Sequence, residues 1–143
     1  MLEVRLFLDA NILFSAAYRD GNPALLLFDL ASADRCTLVT SAFAWDEVHR
    51  NIGLKCPQRA PILNALKGQL EDTPTPGVSA IAEAAKHGLP DKDAPILAAA
   101  MVAEVDILVT GDRTHFGHLY GKDIAGLRVL GLREALASVL EDQ

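Results

Sequence analysis

Cysteine is scarce in this sequence, and its scarcity excludes two classes of small domain. The chain has two cysteines, Cys36 and Cys56, and they form no C-x-x-C motif. Two separated cysteines support neither a disulfide framework nor a structural zinc site. We therefore expect a protein of a reducing, cytoplasmic compartment in which both thiols have structural roles.

Positive charge is also in short supply. The chain carries 13 lysines and arginines against 19 aspartates and glutamates, which gives a net charge of −6. A module that binds nucleic acid mainly through a basic surface normally has the opposite balance. A nuclease is still compatible with this charge, because bound metal ions neutralise catalytic carboxylates.

No apolar run is long enough to cross a membrane. The most apolar stretch, residues 97–109, is interrupted by Glu104 and Asp106 and is too short to span a bilayer. Glu3 and Asp9 break the N-terminal apolar segment, which therefore lacks the pattern of a signal peptide. Half of the residues are hydrophobic, so we expect one soluble domain over residues 1–143 with no membrane partner.

Strand and helix patterns alternate along the chain. Short apolar or β-branched runs predict strands over residues 4–8, 36–40, 106–110 and 127–130. Apolar residues at helical spacing predict helices over 11–18 (a short turn), 23–33, 42–51 (closed by Gly53), 79–87, 91–104 and 132–140. A further helix is predicted near Pro57 and Pro61, with an apolar stripe of Ile62, Leu63, Leu66 and Leu70. This alternation predicts an α/β fold whose parallel sheet is covered on both faces.

Two aspartates follow predicted strands at the carboxyl edge of this sheet. Asp9 comes directly after the first strand, and Asp112 comes two residues after the end of the third. Ligands of open α/β sheets bind beyond the carboxyl ends of the strands, where the strand order reverses. If the two strands are neighbours, the carboxylates come close together and must share a proton or hold a cation. Taken singly, each aspartate is equally well explained as a turn residue.

Three further acids have two interpretations each. Asp91 and Asp93 lie at the start of a predicted helix, where one acid can cap backbone amides while the other points into a site. Glu47 lies in the helix after the second strand and, on local sequence alone, is a solvated surface residue. A basic group lies near it: His49, Arg50, Lys55 and Arg59. This group either contacts phosphates or is ordinary surface charge.

The number of carboxylates limits which metal ions and which reactions are compatible with the site. Without a cluster of cysteine or histidine, oxygen ligands favour Mg²⁺ or Mn²⁺ over zinc, and such ions support phosphoryl transfer to water. His115 and His118, just past Asp112, are either substrate contacts or exposed loop residues. The sequence has no glycine-rich phosphate loop, and Ser15 and Ser41 lack a base at a recognisable spacing.

Four segments together resemble the PIN-domain family, especially the bacterial branch of toxins from toxin–antitoxin pairs. They are residues 7–13 (FLDANIL), the helical segment 41–47 that ends in Glu47, residues 90–100 (PDKDAPILAAA) and residues 107–112 (ILVTGD). Each segment alone is a weak signal. In the family's order, and over nearly the whole chain, the four are fairly specific.

The resemblance implies a three-layer α/β/α fold with a central parallel sheet of four to five strands and a Mg²⁺- or Mn²⁺-dependent ribonuclease site. By position, Asp9, Glu47, Asp93 and Asp112 resemble the family's acidic quartet, with Asp91 as the alternative to Asp93. Asn11 and Thr110 resemble the polar residues that shape such a site. An RNA substrate, an antitoxin protein partner and a homodimer are also implied.

The hypothesis from the sequence is a hydrolytic nuclease. In it, Asp9, Asp93 and Asp112 hold one or two divalent ions, and Glu47 helps to position the water that attacks a phosphodiester. One rival is an aspartyl-phosphate phosphatase of the haloacid dehalogenase kind with Asp9 as nucleophile, although Asn11 stands where a second aspartate is expected. The other rival is a non-catalytic, Mg²⁺-binding receiver-like domain, although Lys122 lies in a predicted loop and no lysine ends a matching strand.

Overall fold

A computed structural model describes residues 3–141, which form six strands and eight α-helices. The strands are β1 (Val4–Leu8), β2 (Cys36–Thr40), β3 (Leu70–Asp72), β4 (Ile107–Val109), β5 (Asp123–Ile124) and β6 (Leu127–Leu130). The helices are α1 (Ala10–Tyr18), α2 (Leu25–Ser32), α3 (Ala42–Lys55), α4 (Ala60–Leu66), α5 (Val78–Ala85), α6 (Ala94–Val102), α7 (Arg113–Phe116) and α8 (Leu132–Glu141). Short 3₁₀ turns cover Pro57–Arg59, Lys67–Gln69 and Gly117–Leu119.

The strands form one sheet in the order β3-β2-β1-β4-β6-β5. All neighbouring pairs are parallel except β5 with β6, which is antiparallel. The first three strands build outward from β1 on one side, and the later strands build outward from β4 on the other. The strand order therefore reverses between β1 and β4, and a ligand crevice is expected beyond the carboxyl ends of these two strands.

Side chains of β1 alternate between two hydrophobic cores. Leu6 and Leu8 are fully buried on one face, in a cluster that includes residues of α1, α2, α3, α4 and α8. Phe7 is fully buried on the opposite face, mainly with residues of α5 and α6. A strand buried on both faces is apolar at successive positions, as β1 is. The sheet thus lies between two helical layers, and the predicted α/β/α fold class is confirmed.

The sheet is wider than the four to five strands expected, because two short strands carry little sequence signal. Leu70, expected on a helical stripe, instead pairs with Leu38 at the start of β3, after the 3₁₀ turn Lys67–Gln69 redirects the chain. Strand β5 has only two residues. Periodicity cannot be recognised over two or three residues.

Most helix boundaries differ from the sequence prediction by one or two residues, and two differ by more. Helix α3 continues through Gly53 to Lys55, because full burial of Ile52 outweighs a glycine penalty of about 1 kcal/mol. Helix α6 begins at Ala94 rather than near Asp91, because a turn in which the Asp93 amide donates to the Pro90 carbonyl precedes it. Within residues 3–141, no helix combines the length and the apolar character needed to cross a bilayer.

Candidate active site

Asp9 is the most buried acid of the candidate site. Residues Leu8 and Val109 are paired across β1 and β4, so Asp9 and Thr110 follow them side by side at the sheet edge. Only 6% of the Asp9 surface is exposed, and one carboxylate oxygen accepts a hydrogen bond from the Ala10 amide at 2.7 Å. Burial raises the pKa of Asp9 from 3.8 to about 6, and hydrogen bonds from Thr110 and Ala10 oppose part of that rise.

Thr110 and Asn11 fix the second carboxylate oxygen of Asp9. The Thr110 hydroxyl donates to Asp9 Oδ2 at 2.8 Å and accepts from the Asp112 amide at 3.1 Å. Asn11 Nδ2 donates to the same Asp9 oxygen at 3.2 Å, and Asn11 Oδ1 accepts from the Gly111 amide at 2.7 Å. These two side chains therefore join the loop after β1 to the loop after β4.

Asp93, not Asp91, turns toward the other acids. Asp93 occupies the N-cap position of α6, yet its side chain makes no capping hydrogen bond and is only 14% exposed. Its Oδ2 atom is buried and has no hydrogen-bond partner. Burial raises the pKa of Asp93; His115 opposes this shift and Asp112 adds to it. Asp91 is exposed on the preceding turn and does not line the cavity described below.

Asp112 and His115 lie on one helical turn that faces Asp93. Asp112 is the N-cap of α7, and its Oδ1 atom accepts from the His115 amide at 3.0 Å. Its Oδ2 atom lies 2.9 Å from His115 Nδ1, and the same nitrogen lies 3.0 Å from Asp93 Oδ2. The three side chains form a group whose potential ligand atoms all lie within 4.8 Å of one another.

A cavity of about 450 Å³ connects these acids with α3. Its lining residues are Asp9, Asn11, Phe43, Asp46, Glu47, Arg50, Asn51, Lys92, Asp93 and Asp112. Glu47 is half-buried in this wall, and its charge contributes to the raised pKa of Asp9. All four acids of the predicted quartet therefore meet at one cavity, beyond the carboxyl ends of β1 and β4.

Of the basic group expected near Glu47, only Arg50 reaches the cavity, where Lys92 joins it. Lys55 lies over the Phe14 ring, and Arg59 pairs with Asp20 and donates to the Ala17 carbonyl. These last two cations are thus engaged elsewhere. The positive charge available to a ligand in this cavity is local, within an acidic protein.

The two histidines after Asp112 differ in their surroundings. His118 Nε2 contacts the His87 carbonyl at 2.7 Å, away from the acids. His115 lies between two of them, and sequence reasoning did not identify it as a candidate metal ligand. The available signal was its spacing: a residue three positions after Asp112 returns to the same face when the segment is helical.

The donor set fits a divalent cation. Several carboxylates share one cavity, and burying such charges without compensation is costly. The unpartnered Oδ2 atom of Asp93 is a buried oxygen with no donor, which a cation would satisfy. Oxygen-rich sites of this kind suit Mg²⁺ or Mn²⁺.

Comparison with solved structures shows the same fold in bacterial and archaeal proteins. VapBC2 from Rickettsia felis, bound to a DNA fragment from its promoter, has a TM-score of 0.69 at 17% identity, covering 90% of this chain and 98% of that one. PAE2754 from Pyrobaculum aerophilum has a TM-score of 0.67 at 18% identity and covers 96% of each chain. VapC20 from Mycobacterium tuberculosis, a toxin that cleaves the sarcin–ricin loop, has a TM-score of 0.56 at 12% identity, covering 86% and 98%.

Sequence comparison identifies the family. A search of curated protein sequences gives no match. The family model of the PIN domain matches residues 5–114, which is more than half of the chain and includes all four acids of the predicted quartet. The chain therefore belongs to the PIN-domain family, as its four sequence segments predicted.

Proposed function

We propose that this protein is a metal-dependent endoribonuclease and the toxin of a toxin–antitoxin pair. The observation that carries the proposal is the convergence of Asp9, Glu47, Asp93 and Asp112 on one cavity where the strand order reverses. PIN-domain toxins are nucleases, so family membership supports hydrolysis of a nucleic acid.

A divalent ion, Mg²⁺ or Mn²⁺, would be held by the carboxylates of Asp93 and Asp112 with Asp9 beside them. When bound, such an ion activates water and stabilises charge on the leaving oxygen. Thr110 and Asn11 hold the Asp9 carboxylate in place, which keeps its orientation fixed when a substrate enters. Glu47, which lines the cavity from α3, orients the attacking water.

Arg50 and Lys92 supply the local attraction that an acidic protein otherwise lacks. Both line the cavity beside the acids, where they can contact the phosphates that flank the bond being cut. The net charge of −6 makes binding dependent on these two side chains and on the metal ion.

RNA is the favoured substrate, and an antitoxin the favoured partner, on the strength of the relatives. The VapC20 toxin cleaves the sarcin–ricin loop, and a toxin–antitoxin complex from Klebsiella pneumoniae shares the fold at a TM-score of 0.60 and 21% identity. An antitoxin that binds beside the cavity would block access of the substrate. It would also cover exposed apolar side chains near the cavity, such as Phe43.

The direct test is cleavage of defined RNA strands, with DNA strands of the same sequence as comparison. We expect RNA cleavage with Mn²⁺ or Mg²⁺, none with a chelator, and a loss of at least about 100-fold in Asp9→Asn. Asp46→Asn is the matched control, because Asp46 lines the same cavity but makes no contact with the quartet that the structure records. Because water is the proposed nucleophile, the RNA products should carry no 2′,3′-cyclic phosphate. Contaminating ribonucleases that use the 2′-hydroxyl as nucleophile leave such a phosphate, so the product ends distinguish the two activities.

The same preparations test the two rivals. Hydrolysis of small phosphomonoesters without RNA cleavage would favour the phosphatase, and labelling of Asp9 by acetyl phosphate would favour the receiver-like domain. Both oxygens of Asp9 accept hydrogen bonds, from Ala10, Thr110 and Asn11, which lowers the nucleophilicity of this carboxylate in either role. Full RNA cleavage by Asp9→Asn would remove the proposal.

A further inference from the structure

His115 places an imidazole nitrogen, a group that can bind a metal ion, between two acids of the site, Asp93 and Asp112. Its Nδ1 atom lies 2.9 Å from Asp112 Oδ2 and 3.0 Å from Asp93 Oδ2. The helical turn of α7 holds it there, since the His115 amide bonds to Asp112 and the next residue, Phe116, is fully buried. The imidazole therefore has a fixed position relative to both carboxylates.

A hydrogen-bonded ion pair accounts for only one of these two contacts. The ring nitrogen makes a hydrogen bond to Asp112, but its close approach to Asp93 Oδ2 lacks hydrogen-bond geometry and leaves that buried oxygen without a donor. The ring nitrogen makes its hydrogen bond to Asp112 and does not satisfy the Asp93 oxygen. A cation placed among the three atoms would compensate both oxygens at once.

The spacing of the three atoms also fits a metal ion. An octahedral ion with bonds of about 2.1 Å sets neighbouring ligand atoms about 3.0 Å apart. The two separations from His115 Nδ1 are 2.9 and 3.0 Å. His115 Nδ1 is thus already at the spacing of a neighbouring ligand from each of the two carboxylate oxygens, and all potential ligand atoms of the group lie within 4.8 Å of one another.

We infer that His115 is a nitrogen ligand of the metal site, together with Asp93 and Asp112, and that it makes the site prefer Mn²⁺ to Mg²⁺. The inference rests on the metal site of the proposed function and adds to it a ligand outside the acidic quartet. In this arrangement Nδ1 binds the ion and Nε2 carries the ring proton. Asp9 is not one of these three residues; it lines the same cavity from the end of β1.

The preference follows from ligand chemistry. Mg²⁺ is a hard ion that takes oxygen ligands, whereas imidazole is a ligand of transition ions. A site of carboxylates alone would discriminate little between Mg²⁺ and Mn²⁺. Replacing His115 with glutamine should therefore weaken Mn²⁺ binding by at least about 10-fold while changing Mg²⁺ binding much less.

Electron spin echo spectroscopy of Mn²⁺ bound to the full chain tests this without any activity measurement. The unmodified protein, loaded with less than one equivalent of Mn²⁺, should show ¹⁴N modulation from a directly bound imidazole. His115→Gln should lose that modulation, and calorimetry should show the selective loss of Mn²⁺ affinity. The matched control is His49→Gln, which removes an exposed histidine of α3 and should keep the signal.

The outcomes separate a failure of this inference from a failure of the proposed function, except that the absence of Mn²⁺ binding would overturn both. Bound Mn²⁺ without ¹⁴N modulation in the unmodified protein would overturn the assignment of His115, even if RNA were cleaved. Modulation that persists in His115→Gln would overturn it too, as would the absence of Mn²⁺ binding. Modulation that depends on His115, in a protein that cleaves no RNA, would support the ligand and refute the nuclease.

Discussion

The buried charge of Asp9 gives the sharpest prediction about stability. Its pKa is raised from 3.8 to about 6, mainly by burial. At about 1.4 kcal/mol for each pKa unit, ionised Asp9 lowers the free energy of unfolding at neutral pH by about 3 kcal/mol relative to its protonated form. Because the native state binds this proton more tightly than the unfolded state, the added stability is complete below pH 3.8 and is lost as the pH rises through about 6.

The comparison of the unmodified protein with Asp9→Asn isolates this effect. Asparagine has no charge to bury, so only the unmodified protein should gain stability from protonation at this position. Between about pH 7 and about pH 4.5, its free energy of unfolding should rise by about 2 kcal/mol relative to Asp9→Asn. The substitution also changes the hydrogen bonds to Thr110 and Asn11, which shifts the free energy of unfolding by an amount that does not depend on pH. The test is therefore the difference between the two proteins in how their free energy of unfolding changes with pH.

The assay is urea unfolding in the presence of a chelator, followed through the single tryptophan, Trp45 of α3. Asp46→Asn serves as control, because Asp46 is exposed and its profile should run parallel to that of the unmodified protein. Parallel profiles for the unmodified protein and Asp9→Asn, or a difference of opposite sign, would refute the assignment of a buried, ionisable Asp9.

Substitutions at three further positions test which side chains hold the Asp9 carboxylate and what Glu47 contributes to cleavage. Thr110→Val should cost about 1–3 kcal/mol in urea unfolding, because it removes one of the two donors to Asp9 Oδ2 and leaves the Asp112 amide without its acceptor; Thr110→Ser should recover most of this loss. Asn11→Ala should cost about 1 kcal/mol through the lost bond to the Gly111 amide, and should lower RNA cleavage. Glu47→Gln should change stability by no more than about 0.5 kcal/mol yet reduce the rate of RNA cleavage at saturating substrate by at least about 10-fold.

Much of the fold was predictable because the strands near the site have strong local signals. Strand β1 is a short apolar run that ends in an acid, and the strand boundaries Val4–Leu8, Cys36–Thr40 and Leu127–Leu130 agree with the sequence prediction. The parallel sheet then places the residues after β1 and β4 at the same edge. Strands β3 and β5 were missed because pairing with a neighbour, rather than their own two or three residues, defines them.

The candidate site was predictable in part. The positions of Asp9 and Asp112 at one edge of the sheet followed from the predicted strands. The position of Glu47 in the same cavity did not, because nothing in the local sequence of a helical glutamate indicates which surface it faces. Only the family resemblance predicted that Glu47 belongs to the site. The doublet Asp91 and Asp93 could not be separated by local sequence, because either acid can precede the first turn of the helix, and the observed start at Ala94 is what places Asp93 at the N-cap. His115 was interpreted as a substrate contact or an exposed loop residue, and not as a metal ligand, because only the turn of α7 brings it back toward Asp112.

Asp93 and Asp112, with Asp9 beside them, are proposed to form a divalent metal site. Mn²⁺ calorimetry on the unmodified protein and on Asp112→Asn tests this most directly. Asparagine caps a helix as well as aspartate does, so α7 should be retained and a loss of binding can be assigned to the lost charge. We predict Mn²⁺ binding that Asp112→Asn abolishes and that the exposed-acid control Asp46→Asn keeps. No binding by the unmodified protein, or equal binding by Asp112→Asn, would contradict the account.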